Sequence, residues 1–298
     1  MEYFFGISHD LLEALMVQKR TLHTVQFFCC QFFNCDSLKP LAECTNLKRL
    51  GFFNCEGLIE EKIQPLALGS LKNLQILAMA VYRGFSEKVI INMIKYSHNN
   101  LKRISLPMAT PKNRMLKIFH DIKPYLKNLI GLTVCFTTGD NKSFESFLSL
   151  LITCQNLEYL CIEGGDNEGT PLNFDDDNMI IEFKKLIKIL PKKISRLVFY
   201  NISLSSLLLK NFFDNIITKI NYLGFYECPL LNDDHVNIII DYVKKKNSND
   251  GNCELKNLII NWCYLVSFNS INNARKFIDN VQFSDVEPQD MEFTAWLE

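Results

Sequence analysis

Tyr159, Arg196, Tyr200, Tyr222 and Tyr226 are the residues of this chain whose types and spacing point most directly to chemistry. That chemistry is recognition. Tyr and Arg bury large, rigid surface and still hydrogen-bond, so they anchor protein interfaces. The guanidinium of Arg196 presents a planar fork of donors that fits a carboxylate or a phosphate, with tyrosine rings to stack beside it. Glu163, at the edge of an acidic insertion, is the competing partner and would hold Arg196 in an internal ion pair. Phe28, Arg49 and Phe53 form a smaller, secondary set early in the chain.

Bond-making chemistry has no comparable set. The sequence holds no G-x-S-x-G, no phosphate-binding glycine loop and no H-E-x-x-H. His9, His23, His98, His120 and His235 pair with no nucleophile at informative spacing and read as surface residues. Asp175, Asp176 and Asp177 lack the alternating ligand spacing of a calcium loop and read as charge at a helix N-terminus. No C-x-x-C occurs, and His23 with Cys29, Cys30 and Cys35 is a poor match to zinc spacing. The expectation is a protein with no catalytic residues, no cofactor and no metal.

Eleven cysteines invite a disulfide framework, but their phase argues for free thiols. Cys30, Cys55, Cys228 and Cys263 occupy one repeated position, where a small, weakly polar side chain packs inside and meets backbone groups of a turn. The odd count, together with a start (MEYFFGISHD) that lacks a basic n-region, predicts reduced thiols in the cytoplasm or nucleus. A net charge of −1 gives no footprint for nucleic acid or anionic lipid, and the apolar runs are too short to span a bilayer. The expected partner is a protein, bound by a chain that is monomeric by itself.

The elements that must position these residues follow from a repeated frame. Leu47, Leu50 and Phe52 fill an L-x-x-L-x-L pattern, with Cys55 three residues on. Nine copies begin at Leu22, Leu47, Leu74, Leu101, Leu129, Leu157, Ile194, Ile220 and Leu255, spaced 25, 27, 27, 28, 28, 37, 26 and 35 residues apart. Self-similarity of this kind is the leucine-rich-repeat signature. The expected fold is an α/β horseshoe solenoid of about nine repeats, with parallel strands on the concave face and helices on the convex face. Between the strand signals, apolar residues recur at helical spacing, as in Met115, Ile118, Phe119 and Ile122 behind a Thr110-Pro111 start. Pro40 and Pro65 predict short or irregular helices in the first two repeats.

Residues 1–21 read as an N-terminal capping helix begun by Ser8 or Asp10, residues 22–283 as the repeats, and residues 284–298 as an acidic C-terminal tail. The two long intervals, Gly164 to Asp177 and Lys244 to Asn252, read as solvent loops. A last helix is expected around Ala274, Phe277, Ile278 and Val281. With the frame residues pointing inward, the residues between them face the concave side. One row carries Tyr159, Arg196 and Tyr222. A middle row is mostly small (Gly51, Ala78, Gly224), which predicts close approach of a bound chain. A third carries Phe28, Phe53, Glu163, Tyr200 and Tyr226.

Two segments carry a family likeness. Cys44 to Cys55 fits C-x-x-L-x-x-L-x-L-x-x-C, and in YLGFYECPLLNDDHV, Tyr222 to Val236, a strand, a cysteine and an Asn-Asp pair precede a helix. Over about residues 20–283 the chain resembles the repeat half of F-box/leucine-rich-repeat proteins. That resemblance implies a scaffold whose arc holds a client protein as the substrate-recognition part of an SCF-type ubiquitin ligase. An F-box needs some 40 residues with a leucine-proline start, and none is expected in the 21 residues before Leu22. The alternative is a ribonuclease-inhibitor-like or GTPase-regulator-like adaptor unrelated to ubiquitin.

Overall fold

The computed structural model describes residues 5–68, 71–80, 86–106, 114–165, 170–250 and 254–284. The Thr110-Pro111 helix start, the middle of the first insertion, Cys253 and the acidic tail beyond Ser284 lie outside the described residues. The backbone forms two compact units, Met1–Val134 and Cys135–Glu298.

In the first unit the frame residues make a parallel sheet. It contains β1 (Phe5–Gly6), α1 (His9–Leu15), β2 (Thr24–Phe28), β3 (Cys30–Gln31), α2 (Lys39–Ala42), β4 (Arg49–Phe53), α3 (Glu60–Ile63), β5 (Ile76–Ala80), α4 (Glu87–Ser97), β6 (Arg103–Ser105) and α5 (Arg114–Ile122), and β7 (Gly131–Phe136) runs across the boundary. Strands β2, β4, β5, β6 and β7 pair in that order, all parallel, with Leu50 opposite Val25 and Leu77, and Ile104 opposite Leu77 and Leu132. Helices α2 and α3 are short, four residues each, with Pro40 in the first turn of α2, where an amide has no partner in the helix, and Pro65 opening the 3-10 turn that follows α3. The capping segment is more than a helix: β1 adds a short parallel pairing to β3, and Ser8 caps α1 by accepting from the Leu11 amide at 3.2 Å.

The second unit repeats the plan with longer helices. It holds α6 (Asn141–Leu151), β8 (Tyr159–Gly164), β9 (Leu172–Asn173), α7 (Asp177–Ile189), β10 (Arg196–Tyr200), β11 (Ile202–Ser203), α8 (Ser206–Asn215), β12 (Tyr222–Tyr226), α9 (Asp233–Asp250), β13 (Asn257–Asn261), α10 (Phe268–Ala274) and β14 (Asn280–Ser284). Strands β8, β10, β12, β13 and β14 pair in that order, again parallel. Asp140, Asp176, Ser205 and Ser267 each cap a helix by accepting a backbone amide, which is why each helix starts where it does. The core lies between the helices and the inward side of the strands: Phe183 of α7 and Phe212 of α8 pack on Phe199 of β10, with ring centroids 6.4 and 6.5 Å away.

Four expectations need correction. The stretch from Lys244 is no loop, because α9 runs on to Asp250. The insertion before α7 is not wholly solvent-facing: β9 pairs with β11, and Phe174 beside it is fully buried. No helix runs through Val281. Helix α10 ends at Ala274, and Ile278, Val281 and Phe283 fit the same frame as the earlier copies, making β14 a tenth strand. His235 is not a surface residue; it is buried, and its Nε2 bonds the Leu204 carbonyl at 2.8 Å across the repeat. Burial lowers its pKa, so the neutral ring is the folded form. Among the described residues no helix is long and apolar enough to cross a membrane.

Candidate functional site

In each unit the strand positions between the frame residues point away from the helices, onto the other face of the sheet, where Ser105, Thr133, Cys161, Ile259 and Asn261 are buried and Tyr159, Arg196 and Glu163 half-buried. In the second unit the register sets Tyr159, Arg196 and Tyr222 side by side, then Cys161, Val198 and Gly224, then Glu163, Tyr200 and Tyr226. Strand β13 extends the three rows with Asn257, Ile259 and Asn261. Adjacent strands lie about 4.8 Å apart, so neighbours in a row touch. The Arg196 guanidinium carbon lies 4.7 Å from the Tyr222 ring centroid and 5.7 Å from that of Tyr159, a cation held between two aromatic faces. Its Nε is buried and has no hydrogen-bond partner among the described residues.

The third row is organised differently. Tyr200 and Tyr226 stack at 6.4 Å and 21°, and Trp262 meets Tyr226 edge-on at 6.4 Å. Tyr200 donates its hydroxyl to Glu227 Oε1 at 2.7 Å, and the Tyr222 and Tyr226 hydroxyls bond at 3.0 Å. Cys161, Val198, Tyr226, Ile259 and Trp262 form a buried apolar cluster on this face, against which Tyr159, Tyr200 and Tyr222 pack. Burial pushes the Tyr159 hydroxyl well above its ordinary pKa and, helped by the charge on nearby Glu227, pushes Glu163 up to about 7.

Of the six primary candidates, the structure brings the four tyrosines and Arg196 into one connected set. The internal ion pair of Glu163 with Arg196 does not form. The two occupy opposite ends of paired strands, four residues apart in register, or about 13 Å at strand rise. Glu163 lies instead opposite Tyr200, on the same row as the Tyr200–Glu227 bond. Among the described residues no group of three His, Cys, Asp or Glu is arranged to hold a metal ion.

Comparison with known proteins speaks to the architecture. No family model matches the sequence, and no curated protein matches it. Among solved structures, the leucine-rich-repeat-containing protein LegL7 from Legionella pneumophila matches with a TM-score of 0.58 at 13% identity, over 95% of this chain and 89% of that one. A chain of the yeast Rad7 and Elc1 complex matches with a TM-score of 0.50 at 17% identity, over 95% of this chain and 77% of that one. The fold is a leucine-rich-repeat fold.

Two features of these leucine-rich repeats place side chains that a strand pattern misses. Directly after a strand, Cys29, Asn54, Asn201, Glu227 and Trp262 have φ between 48° and 56°, the left-handed region. This is costly for a residue with a β-carbon, by about 1–2 kcal/mol. There the period-2 rule ends and the chain turns, so Glu227 and Trp262 reach the face turned away from the helices although neither belongs to a strand row. The signal that could have found them is the turn itself, which a cysteine two residues after the strand marks in four of these five cases. Cys30, Cys55, Cys228 and Cys263 each bond the carbonyl two residues back at 3.2 to 3.4 Å.

Two glycines of the middle row are small for a reason of the protein's own. A β-carbon on Gly224 would lie 2.9 Å from the Tyr226 ring, and one on Gly51 2.5 Å from the Phe53 ring. These two glycines make room for the protein's own aromatic rings. In the first unit that leaves Phe53 buried and stacked on exposed Phe28 at 4.6 Å and 7°, while Arg49 is exposed at the other end of its strand.

Proposed function

We propose that this protein is a non-catalytic interaction scaffold whose client protein docks on the face of the second unit's sheet that turns away from the helices. The observation that carries this reading is Arg196 held between Tyr159 and Tyr222, with the stacked Tyr200 and Tyr226 at the other end of the same strands. Aromatic and Arg anchors held rigid before binding lose little entropy on docking, which is how a few residues come to dominate an interface. Arg196 forms no ion pair among the described residues, which leaves its guanidinium charge for a client. A client carboxylate or phosphate is its complement. Phe28, Arg49 and Phe53 are the secondary docking candidates.

The finer reading is the substrate-recognition part of an SCF-type ubiquitin ligase, working in the cytoplasm or nucleus with ligase subunits as further partners. Its support is the resemblance of the Cys44–Cys55 and Tyr222–Val236 segments to F-box/leucine-rich-repeat proteins, together with the likeness of fold to the Rad7 and Elc1 complex. Affinity purification with mass spectrometry tests it: one stable client and ubiquitin-ligase subunits are expected together. A client without ligase subunits would make the protein a ribonuclease-inhibitor-like or GTPase-regulator-like adaptor. The docking face is tested by Tyr200→Ala combined with Tyr226→Ala, which is expected to weaken client capture about tenfold or more, on the order of 1.4 kcal/mol. Undiminished capture by that variant would move the search to Phe28, Phe53 and the acidic C-terminal tail.

A further inference from the structure

The net charge of −1 conceals two unlike units. Residues 1–134 carry 17 Lys and Arg against 10 Asp and Glu, whereas residues 135–298 carry 15 against 23. The first unit thus has an excess of seven positive charges and the second an excess of eight negative ones. Charge asymmetry of this kind speaks to partners rather than to fold. Much of the positive excess stands on one flank of the first unit. The five segments that lead into β2, β4, β5, β6 and β7 are residues 19–24, 43–49, 71–76, 98–103 and 125–131. They hold eight Lys and Arg and a single acid, Glu43, which Lys19 meets at 3.7 Å.

The cations keep phase with the repeat. Arg20, Lys72 and Lys127 stand two residues before the first frame leucine, and Lys48, Arg49 and Lys102 one or two residues after it, so every repeat of the unit supplies at least one. All six are exposed, and Arg20, Lys48, Arg49, Lys72 and Lys102 form no ion pair among the described residues. Backbone bonds hold the segments side by side: the Lys48 amide donates to the His23 carbonyl at 2.8 Å, the Gln75 amide to the Lys48 carbonyl at 2.7 Å and the Lys102 amide to the Gln75 carbonyl at 2.8 Å. In the second unit the same positions are mixed, with Glu158 and Asp279 among the lysines, so the repeat itself does not require cations there.

Like charges held in a row repel one another, and an anion laid along them relieves that repulsion. We infer that this basic strip is a second interaction surface, which takes a short acidic segment of a partner protein. Four strand spacings of about 4.8 Å make the strip about 19 Å long, a span that an extended peptide covers with about six residues. That length decides the class of partner. A membrane or a long duplex meets the whole chain, whose net charge of −1 gives it no attraction beyond a Debye length of about 8 Å. A short acidic segment meets the strip alone. The cations also stand on turns and strand starts, with no helix among them to enter a DNA groove. The strip belongs to the first unit and the proposed docking face to the second, so its test does not depend on that reading.

The experiment uses the full chain and three fluorescein-labelled probes: hexaglutamate, its neutral counterpart hexaglutamine, and a DNA duplex of about 20 base pairs. Fluorescence anisotropy is expected to show saturable binding of hexaglutamate that weakens with salt, and none of hexaglutamine. Lys48→Gln with Lys72→Gln and Lys102→Gln should weaken hexaglutamate about tenfold or more. Because those three side chains are exposed and unpaired, the melting temperature should match that of the parent. The same change of charge in the second unit, Lys184→Gln with Lys188→Gln and Lys192→Gln, should leave binding within about twofold of the parent. Equal binding of hexaglutamine, no saturable binding of hexaglutamate, or an equal loss in the two triple variants would each overturn the strip. A duplex bound more tightly than hexaglutamate, and released by the first triple variant, would overturn the acidic segment in favour of nucleic acid.

Discussion

At the scale of single residues, burial without full compensation marks the face of the second unit's sheet that turns away from the helices. Glu163 has its pKa raised from 4.5 to about 7, first by burial and then by Glu227. Between those values the folded chain holds a proton that the unfolded chain has released, so this group lowers stability as pH rises from about 4.5 to 7. Above 7 the penalty is complete. Glu163→Gln keeps the shape and removes the titration. The variant is expected to match the parent in denaturant melts near pH 4.5 and to exceed it above pH 7. Parallel stability curves for the two proteins across that range would show that Glu163 titrates normally. His235 acts in the opposite direction, since its lowered pKa removes stability as pH falls below about 6.5.

At the scale of elements, each strand is held by leucines that the helices cover. Leu132, Leu160 and Leu223 have no exposed surface, and each occupies the same position in its repeat. Replacing any one by Ala removes a buried side chain and leaves a cavity, at a cost of about 2–5 kcal/mol. Denaturant midpoints should fall accordingly with an unchanged slope, and melts matching the parent would mean that the frame is misassigned. The turn after the strand is the other recurrent element. There the cysteine thiol donates to the carbonyl two residues back and, in Cys55, Cys228 and Cys263, also approaches a carbonyl of the preceding repeat at 3.5, 3.6 and 3.8 Å. A small, weak donor suits this place because the carbonyls of Phe53, Tyr226 and Asn261 already accept the backbone amides of Cys29, Asn201 and Glu227. Between repeats, Asn46, Asn73 and Asn100 do similar work, each donating to a backbone carbonyl of the preceding repeat at 2.6 to 2.9 Å.

Across the whole molecule the thiols tell one story. All ten described cysteines are free, and nine of them are buried. Burial pushes the Cys55 and Cys154 thiols up to about 12 and raises Cys135 and Cys228 well above their ordinary value, so these sulfurs stay protonated and unreactive. Thiol counting in denaturant should return eleven with or without reductant. A reproducible gain of two on reduction would require a disulfide. The native protein should react far more slowly than the denatured chain, with Cys29, half-buried at the left-handed turn, the first described thiol to be modified.

The amino-acid sequence by itself determined the repeat, the inward residues and the register. A period-2 strand frame copied at nearly constant spacing leaves one way to stack its leucines. It therefore determined which residues lie side by side within each unit, Thr24 beside Arg49 in the first and Arg196 beside Tyr222 in the second. It also put the cysteines in phase. Three things were decided only by the tertiary structure. Helix α9 absorbs the Lys244 stretch, because polar residues on an exposed helical face are indistinguishable by composition from a loop. Strand β14 was concealed because Ile278 and Val281 also satisfy helical spacing after Ala274, so that one run of apolar residues serves two periods. No strand pattern could place Glu227 and Trp262 on the face turned away from the helices, since a left-handed residue breaks the alternation that such patterns rest on. That turn sets Glu227 against Tyr200 and leaves Arg196 to its two tyrosines, a division of charge that the order of residues alone does not contain.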